Sequence, residues 1–313
     1  MVSNIALPSS IFLQLAIRLS HATYKANFSN FTGLIYKNSS YDTPYHPVFY
    51  VYSQDNTLFV LTRGSKTYDD FATAAIFSEM TTEYGTFHTG YYKSALYVWK
   101  EVKDYVRDFS GKVVFVGHSY GAAVSQILHI FANDQFPRKG KKNSIPYESY
   151  CFAAPPTMNE EAYAPIKNYM FTFVNDDDIV PTISIPNCLN RFHLIAPVIN
   201  IIPQDVLTKT VLNLLKLINI TSLLDQQLFN MIYRAVPTCI NAIKECEAGV
   251  PKLVKFTGGT VFQMKIGEPK KLAQCLIDPS TLNMLSITLN SVKNHHDERY
   301  IDLMDQIIPE NFY

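Results

Sequence analysis

Short apolar runs alternate with amphipathic stretches along much of the chain. Runs rich in β-branched and aromatic residues have the length of buried strands, and they cover residues 49–53, 57–62, 112–116, 147–152, 169–174 and 260–266. Between them, residues 11–24 and 92–108 repeat their apolar positions with helical spacing. Such alternation predicts a mostly parallel sheet flanked by helices, with functional side chains in loops at the carboxyl ends of strands.

Local signals refine this pattern at both ends. The first two runs are separated only by residues 54–56, which predicts a β-hairpin. Ser9 or Ser10 is a suitable N-cap for the first helix. A closing amphipathic helix is expected after the paired histidines His295 and His296.

The hydrophobic pattern changes over residues 194–243, where apolar positions dominate. Leu207, Val211, Leu214 and Ile218 form one helical stripe, and a second helix is expected to begin at Ser222. Because no linker, repeat or low-complexity segment interrupts the chain, residues 1–313 are predicted to form a single domain with an apolar helical insertion at about 194–243.

Composition narrows the class of protein. Of 313 residues, 47% are hydrophobic and 17% are charged, which is typical of a globular protein with a large core. Lys and Arg together number 27, as do Asp and Glu, so no net field favours nucleic acid, and no nucleic-acid partner is expected. The five cysteines form neither a disulfide framework nor a zinc pattern, which favours a reducing compartment.

The N-terminal region does not have the features of a targeting segment. Residues 1–17 contain no Lys or Arg, so the positive region of a signal peptide is missing. No apolar run approaches the roughly 20 residues of a membrane span. Together with the cysteine pattern, these features predict a cytoplasmic protein that could also be peripheral to membranes.

The strongest chemical signal is the pentapeptide Gly-His-Ser-Tyr-Gly at 117–121, which stands between a strand and an Ala-rich helix. This G-x-S-x-G pattern in strand–turn–helix context predicts a nucleophile elbow with Ser119 at its tip. The alternative is an ordinary turn in which Ser119 only caps the helix. His118 is expected to point away from the position of the serine's partner.

A serine nucleophile needs a base, and the base needs an orienting acid. Asp178 follows a predicted strand and is preferred over Asp176 and Asp177, because Ile-Val-Pro follows it directly; a solvated acidic turn is the alternative. The chain order Ser, Asp, His then requires a late histidine. Only His295 and His296 come well after Asp178, and either could be the base.

Several ordered blocks resemble the class 3 lipases, a family that includes fungal triacylglycerol lipases, plant phospholipase A1-type enzymes and diacylglycerol lipases. The resemblance runs from about residue 13 to 183, and its blocks are Arg63-Gly64-Ser65, His88-Thr89-Gly90-Tyr91, residues 117–121, Ala154-Pro155-Pro156 and Asp178-Ile179-Val180-Pro181. It implies an α/β-hydrolase fold with a mostly parallel central sheet flanked by helices.

The resemblance also implies roles for individual residues. Ser119 would be the nucleophile and Asp178 the acid. His295 is preferred as the base, with His296 as the alternative, because the family's histidine is often followed five residues later by Tyr. Ser65 and the backbone N–H of Tyr120 would form the oxyanion hole. The family's lid corresponds to residues 71–87, although Ala74 stands near the place where an acid is often found.

The activity implied is that of a lipase, a serine hydrolase cleaving triacyl- or diacylglycerol lipids through an acyl-enzyme. Phospholipase A1 or general esterase activity is the alternative, and a catalytically silent binding module is the non-enzyme alternative. No cofactor, metal or protein partner is implied. The substrate would be a lipid ester, and the resemblance is compatible with transient contact with a membrane or lipid-droplet surface.

Overall fold

The fold is built on an eight-stranded sheet with the order β1-β2-β3-β6-β7-β8-β9-β10. The computed structural model describes residues 9–38, 43–66, 73, 78–138, 146–191, 202–217, 236–237, 240–241, 243–245, 252–266, 272–283 and 288–306. The strands are β1 Leu34–Lys37, β2 Phe49–Gln54, β3 Thr57–Thr62, β4 Glu79–Thr82, β5 Gly85–His88, β6 Lys112–His118, β7 Glu148–Phe152, β8 Met170–Asn175, β9 Thr260–Ile266 and β10 Leu272–Ile277.

The centre of the sheet is parallel and its margins are antiparallel. Each strand in the series β3, β6, β7, β8 and β9 pairs in parallel with the next strand of that series. The predicted hairpin of β2 and β3 is confirmed, and it pairs Phe49 with Thr62 and Gln54 with Thr57. Strands β1 and β10 close the two edges by antiparallel pairing. The predicted mostly parallel central sheet flanked by helices is therefore confirmed.

Helices cover both faces of the sheet. The α-helices are α1 Ser10–Lys25, α2 Thr89–Asp108, α3 Tyr120–Gln135, α4 Glu160–Tyr163, α5 Ile185–Arg191, α6 Gln204–Leu217, α7 Leu289–Lys293 and α8 Asp297–Met304. Short 3₁₀ segments occupy Ala164–Tyr169, Val180–Thr182 and Pro279–Thr281. Helices α2 and α3 pack on one face, whereas α1 and α8 pack on the other.

Strand alternation produces two separate cores. Along β6, Val113 and Phe115 join the core beneath α2 and α3, whereas Val114 and Val116 join the core beneath α1 and α8. Because both faces are covered, these four side chains are fully buried. The continuous apolar run in the sequence therefore reflects a strand buried on both sides.

The helices predicted at residues 11–24 and 92–108 are both present, with shifted ends. Helix α1 begins after Ser9, whose hydroxyl accepts a hydrogen bond from the backbone N–H of Phe12. Helix α2 begins at Thr89, three residues before the predicted start, because the His88 side chain accepts from the backbone N–H of Tyr91 and caps the helix.

The prediction of a helical insertion falls only partly on described residues. Helix α6 contains the first part of the predicted apolar stripe, and Leu207 packs against Val236 and Ile240. The second helix, expected from Ser222, lies outside the described residues, so the single-domain prediction stays a prediction. In the part of the chain that the structure describes, no helix has both the length and the apolar character needed to cross a membrane.

Candidate active site

Ser119 lies on a sharp bend between β6 and α3. Its backbone has φ 57° and ψ −127°, a conformation that side-chain-bearing residues rarely adopt. Flanking glycines make the bend possible. A Cβ at Gly117 would overlap the backbone of Gly121, and a Cβ at Gly121 would overlap the carbonyl of Thr62 on β3. Strand, bend and helix therefore approach each other more closely than any larger residue would allow.

Three side chains that are distant in sequence meet at this bend. His295 Nε2 lies 3.0 Å from Ser119 Oγ. On the other side of the ring, His295 Nδ1 lies 3.1 and 3.2 Å from the two carboxylate oxygens of Asp178. Since a carboxylate only accepts, Nδ1–H donates to Asp178, and Nε2 is left to accept the hydroxyl proton of Ser119.

Several hydrogen bonds fix the position of the Asp178 carboxylate. Its side chain is fully buried, and the carboxylate also accepts from the backbone N–H of Val180 at 2.9 Å and from the Tyr300 hydroxyl at 2.6 Å. Burial and the nearby Asp178 carboxylate raise the pKa of Tyr300, so its hydroxyl stays a donor. Tyr300 in turn accepts from the backbone N–H of Asn175. Sequence reasoning did not assign this role to Tyr300.

The neighbouring acids have different surroundings. Asp177 accepts from the Thr288 hydroxyl at 3.1 Å and from Asn294 Nδ2 at 2.7 Å, so it joins the loop after β8 to the segment before His295. Asp176 has a positive φ of 47° and forms part of the turn itself. Of the three consecutive acids, the structure brings Asp178 to His295.

His118 was expected to point away from the serine's partner, and the structure differs. Its ring packs against that of His295, with 4.9 Å between centroids. His118 Nε2 lies 2.8 Å from the carbonyl oxygen of His295, and Nδ1 lies 2.9 Å from the Tyr24 hydroxyl. Burial, followed by the nearby His295, lowers the pKa of His118 to about 3. This neutral side chain contacts the candidate base through its backbone, which no local pattern indicates.

The other candidate residues lie around the same bend. Tyr120 is the first residue of α3, and helix N-terminal amides carry partial positive charge. Ser65 is half-buried just beyond β3, and a Cβ on the adjacent Gly64 would lie 2.7 Å from the His118 carbonyl oxygen, so this loop is close to the elbow. His296 is exposed and precedes α8 as its N-cap residue.

The segment predicted to be a lid divides into two parts. Its second half forms the β4–β5 hairpin, in which Gly85–His88 is buried and Phe87 is fully enclosed in the core. These residues are therefore a fixed part of the fold. Most of the first half, including Ala74, lies outside the described residues, and the lid prediction is confined to that part.

The described residues contain no candidate metal site. Within the described ranges, no group of three or more His, Cys, Asp or Glu side chains is arranged to hold a metal ion. The titratable side chains around Ser119 are instead engaged with each other, as the contacts of His295 and Asp178 show.

Residues 59–188 match the family model described as Lipase (class 3). This segment is similar to the class 3 lipases. The matched segment runs from β3 to α5 and contains Ser119 and Asp178, whereas His295 lies beyond it. The match supports a lipase-type hydrolase. No match was found among curated protein sequences.

Solved structures similar to this chain include fungal lipases. The lipase from Rhizopus microsporus var. chinensis is 19% identical, covering 56% of this chain and 68% of that one, with a TM-score of 0.46. The Rhizomucor miehei triacylglyceride lipase is 21% identical, covering 55% and 73%, with a TM-score of 0.46. The Lip2 lipase from Yarrowia lipolytica is 12% identical, with the same coverage and a TM-score of 0.46.

Proposed function

We propose that this protein is a serine carboxylester hydrolase that cleaves acyl-glycerol lipids through an acyl-enzyme intermediate. One observation carries the proposal. Ser119 Oγ lies within hydrogen-bonding distance of His295 Nε2, whose ring is oriented by the buried Asp178. A serine hydroxyl is a weak nucleophile unless a base removes its proton, and this arrangement supplies both the base and the orienting acid.

The reaction has two halves. As Ser119 Oγ attacks the ester carbonyl carbon, its proton passes to His295 Nε2, and Asp178 stabilises the resulting imidazolium. The tetrahedral intermediate collapses when the C–O bond to glycerol breaks and His295 gives its proton to the departing alkoxide. Water then attacks the acyl-serine, with His295 again taking the proton and returning it to Ser119 as the fatty acid leaves.

Negative charge develops on the carbonyl oxygen in both halves. In the proposal, the backbone N–H of Tyr120 and the backbone N–H and hydroxyl of Ser65 donate to this oxygen. The position of Tyr120 at the start of α3 supports its role, since the helix dipole favours an anion there. One such donor contributes roughly 3–4 kcal/mol to stabilisation of the transition state in acyl transfer.

The family match supports a lipid substrate. A cytoplasmic location with transient contact to a membrane or lipid-droplet surface is included in the proposal. Among the described cysteines, Cys151 and Cys188 are free thiols, as expected in a reducing compartment.

The decisive experiment compares Ser119→Ala with Ser125→Ala. Ser119 immediately precedes α3 and Ser125 lies within it. Ser125 is fully buried and its hydroxyl has no hydrogen-bond partner among the described residues, so Ser125→Ala is a matched control. We expect Ser119→Ala to lower kcat on a diacylglycerol by on the order of 10⁶-fold and to abolish fluorophosphonate labelling. Ser125→Ala should label and turn over like the wild type.

Each part of the proposal has its own contrary outcome. A wild-type protein that neither labels nor hydrolyses any ester would instead be a binding module with this fold. Labelling that persists in Ser119→Ala would exclude Ser119 as the nucleophile. A panel of triacyl-, diacyl- and phosphoglycerides, with a short water-soluble ester, tests the substrate class. Preference for the short ester over every glyceride would refute the lipid assignment and favour a general esterase.

A further inference from the structure

We propose that His118 is a positioning residue, which holds the backbone of His295 so that its ring stays within reach of Ser119. The proposal rests on the proposed function, because it assumes that His295 is the base. His118 itself is in contact with His295 and Tyr24 rather than with Ser119 Oγ.

The segment carrying His295 is a turn and needs support from outside. Residues 294–296 connect α7 to α8, and the His295 side chain is 25% exposed. Within the segment, the backbone N–H of His295 makes a long hydrogen bond of 3.3 Å to the Val292 carbonyl. A turn of this kind fixes a side chain less firmly than a strand or a helix does.

Two consecutive carbonyls of this turn are held by side chains at the ends of sheet strands. His118, the last residue of β6, donates from Nε2 to the His295 carbonyl at 2.8 Å. Asn175, the last residue of β8, donates from Nδ2 to the Asn294 carbonyl at 2.9 Å. The strands that precede the serine and the acid therefore also hold the backbone of the histidine.

The protonation of His118 follows from its two partners. A carbonyl oxygen can only accept, so the proton is on Nε2, and Nδ1 accepts from the Tyr24 hydroxyl. Tyr24 belongs to α1, and its hydroxyl lies where a Cβ at Gly64 would be. A neutral ring with one donor and one acceptor satisfies both buried contacts at once.

The geometry sets the size of the expected effect. Loss of the His118 donor leaves the His295 carbonyl without that partner and removes the ring against which His295 packs. Displacement of a reacting group by about 1 Å costs roughly 100-fold in rate. We therefore expect a loss of between about 10-fold and 100-fold in kcat, with KM nearly unchanged because substrate contacts are not altered.

The test uses a pair of variants with side chains of similar length. Glutamine in His118→Gln can place an amide donor near the position of Nε2, whereas methionine in His118→Met has no donor. We expect His118→Met to lose kcat by about 10-fold to 100-fold and His118→Gln to recover most of that loss. Equal kcat in the two variants, measured below both melting temperatures, would overturn the proposal.

A second buried histidine controls for general damage to the core. His129 lies on α3, is 1% exposed and bonds to the Ser149 hydroxyl. His129→Met should lower Tm but leave kcat unchanged at permissive temperature. If His118→Met does not fold, Tyr24→Phe replaces it, because removing the hydroxyl removes the hydrogen bond to Nδ1 that fixes the orientation of the His118 ring. That variant should lower kcat at constant KM, and an unchanged kcat would overturn the proposal.

Failure of this proposal and failure of the proposed function give different results. If Ser119→Ala abolishes turnover while His118→Met matches His118→Gln, the hydrolase assignment stands and the positioning role is wrong. If Ser119→Ala retains turnover, the assumed nucleophile is wrong, whatever the His118 variants do.

Discussion

Acidification should destabilise this protein steeply, because two histidines are buried in the neutral form. Burial lowers the pKa of both His118 and His129 from 6.5 to about 3. In the unfolded chain these side chains take up protons below about pH 6.5, whereas in the folded chain they do so only near pH 3. The unfolded state therefore binds more protons across this window, and stability falls as the pH is lowered from about 6.5 toward 3.

The size of the effect follows from linkage. At pH 4.5, two units below the unfolded pKa of 6.5, each histidine costs about 3 kcal/mol of unfolding free energy. The two together cost about 5–6 kcal/mol, which is a large part of the roughly 5–15 kcal/mol that stabilises a typical domain. We therefore expect acid unfolding to begin well above the pH at which most carboxylates are protonated.

His129→Gln isolates one of the two contributions without changing the candidate site. Urea unfolding of wild type and variant at pH 7.0, 6.0, 5.0 and 4.5 measures the difference in their unfolding free energy. Glutamine does not titrate, so between pH 7.0 and 4.5 this difference should move by about 3 kcal/mol in favour of the variant. Parallel curves for the two proteins would refute the reasoning, since they would mean that His129 is protonated equally in both states.

Two further substitutions test the packing around the site. Gly121→Ala should prevent folding, because the added Cβ would collide with the Thr62 carbonyl. Gly258→Ala is the matched control, since its Cβ would come only within 3.1 Å of a side-chain ring. Soluble, active Gly121→Ala protein would contradict the expectation. Tyr300→Phe should cost about 1–3 kcal/mol in urea unfolding and lower kcat, because Asp178 loses a buried donor; unchanged values of both would contradict it.

Local sequence predicted the parts of the site that depend on local backbone. The bend at Ser119 follows from glycines two positions away on either side, and the choice of Asp178 follows from the Ile-Val-Pro that directly succeeds it. In the structure the backbone N–H of Val180 does donate to Asp178, which is the physical content of that pattern. The parallel strands were predictable from their composition, because burial on both faces of a sheet requires continuous apolar runs.

Partners brought together by the tertiary fold were not predictable. The hydrogen bond from His118 to the His295 carbonyl joins residues 177 positions apart, and that from Tyr300 to Asp178 joins residues 122 positions apart. The residues that flank His118 and Tyr300 in the sequence do not indicate either role. The β4–β5 hairpin was also missed, because its four-residue strands are too short to establish an alternating pattern.

The pairing of α1 with α8 has a consequence for the protein during its synthesis. Arg18 contacts Asp305 at 2.6 Å, Gln14 donates to the Met304 carbonyl, and His21 lies 2.7 Å from Asp297. Helix α1 can therefore complete its packing only after α8, made more than 270 residues later, has been synthesised. Ser119 is made 176 positions before its candidate base His295, so it has no such neighbour until translation has passed that residue. Under the proposed function, hydrolysis would then require that translation has passed α8.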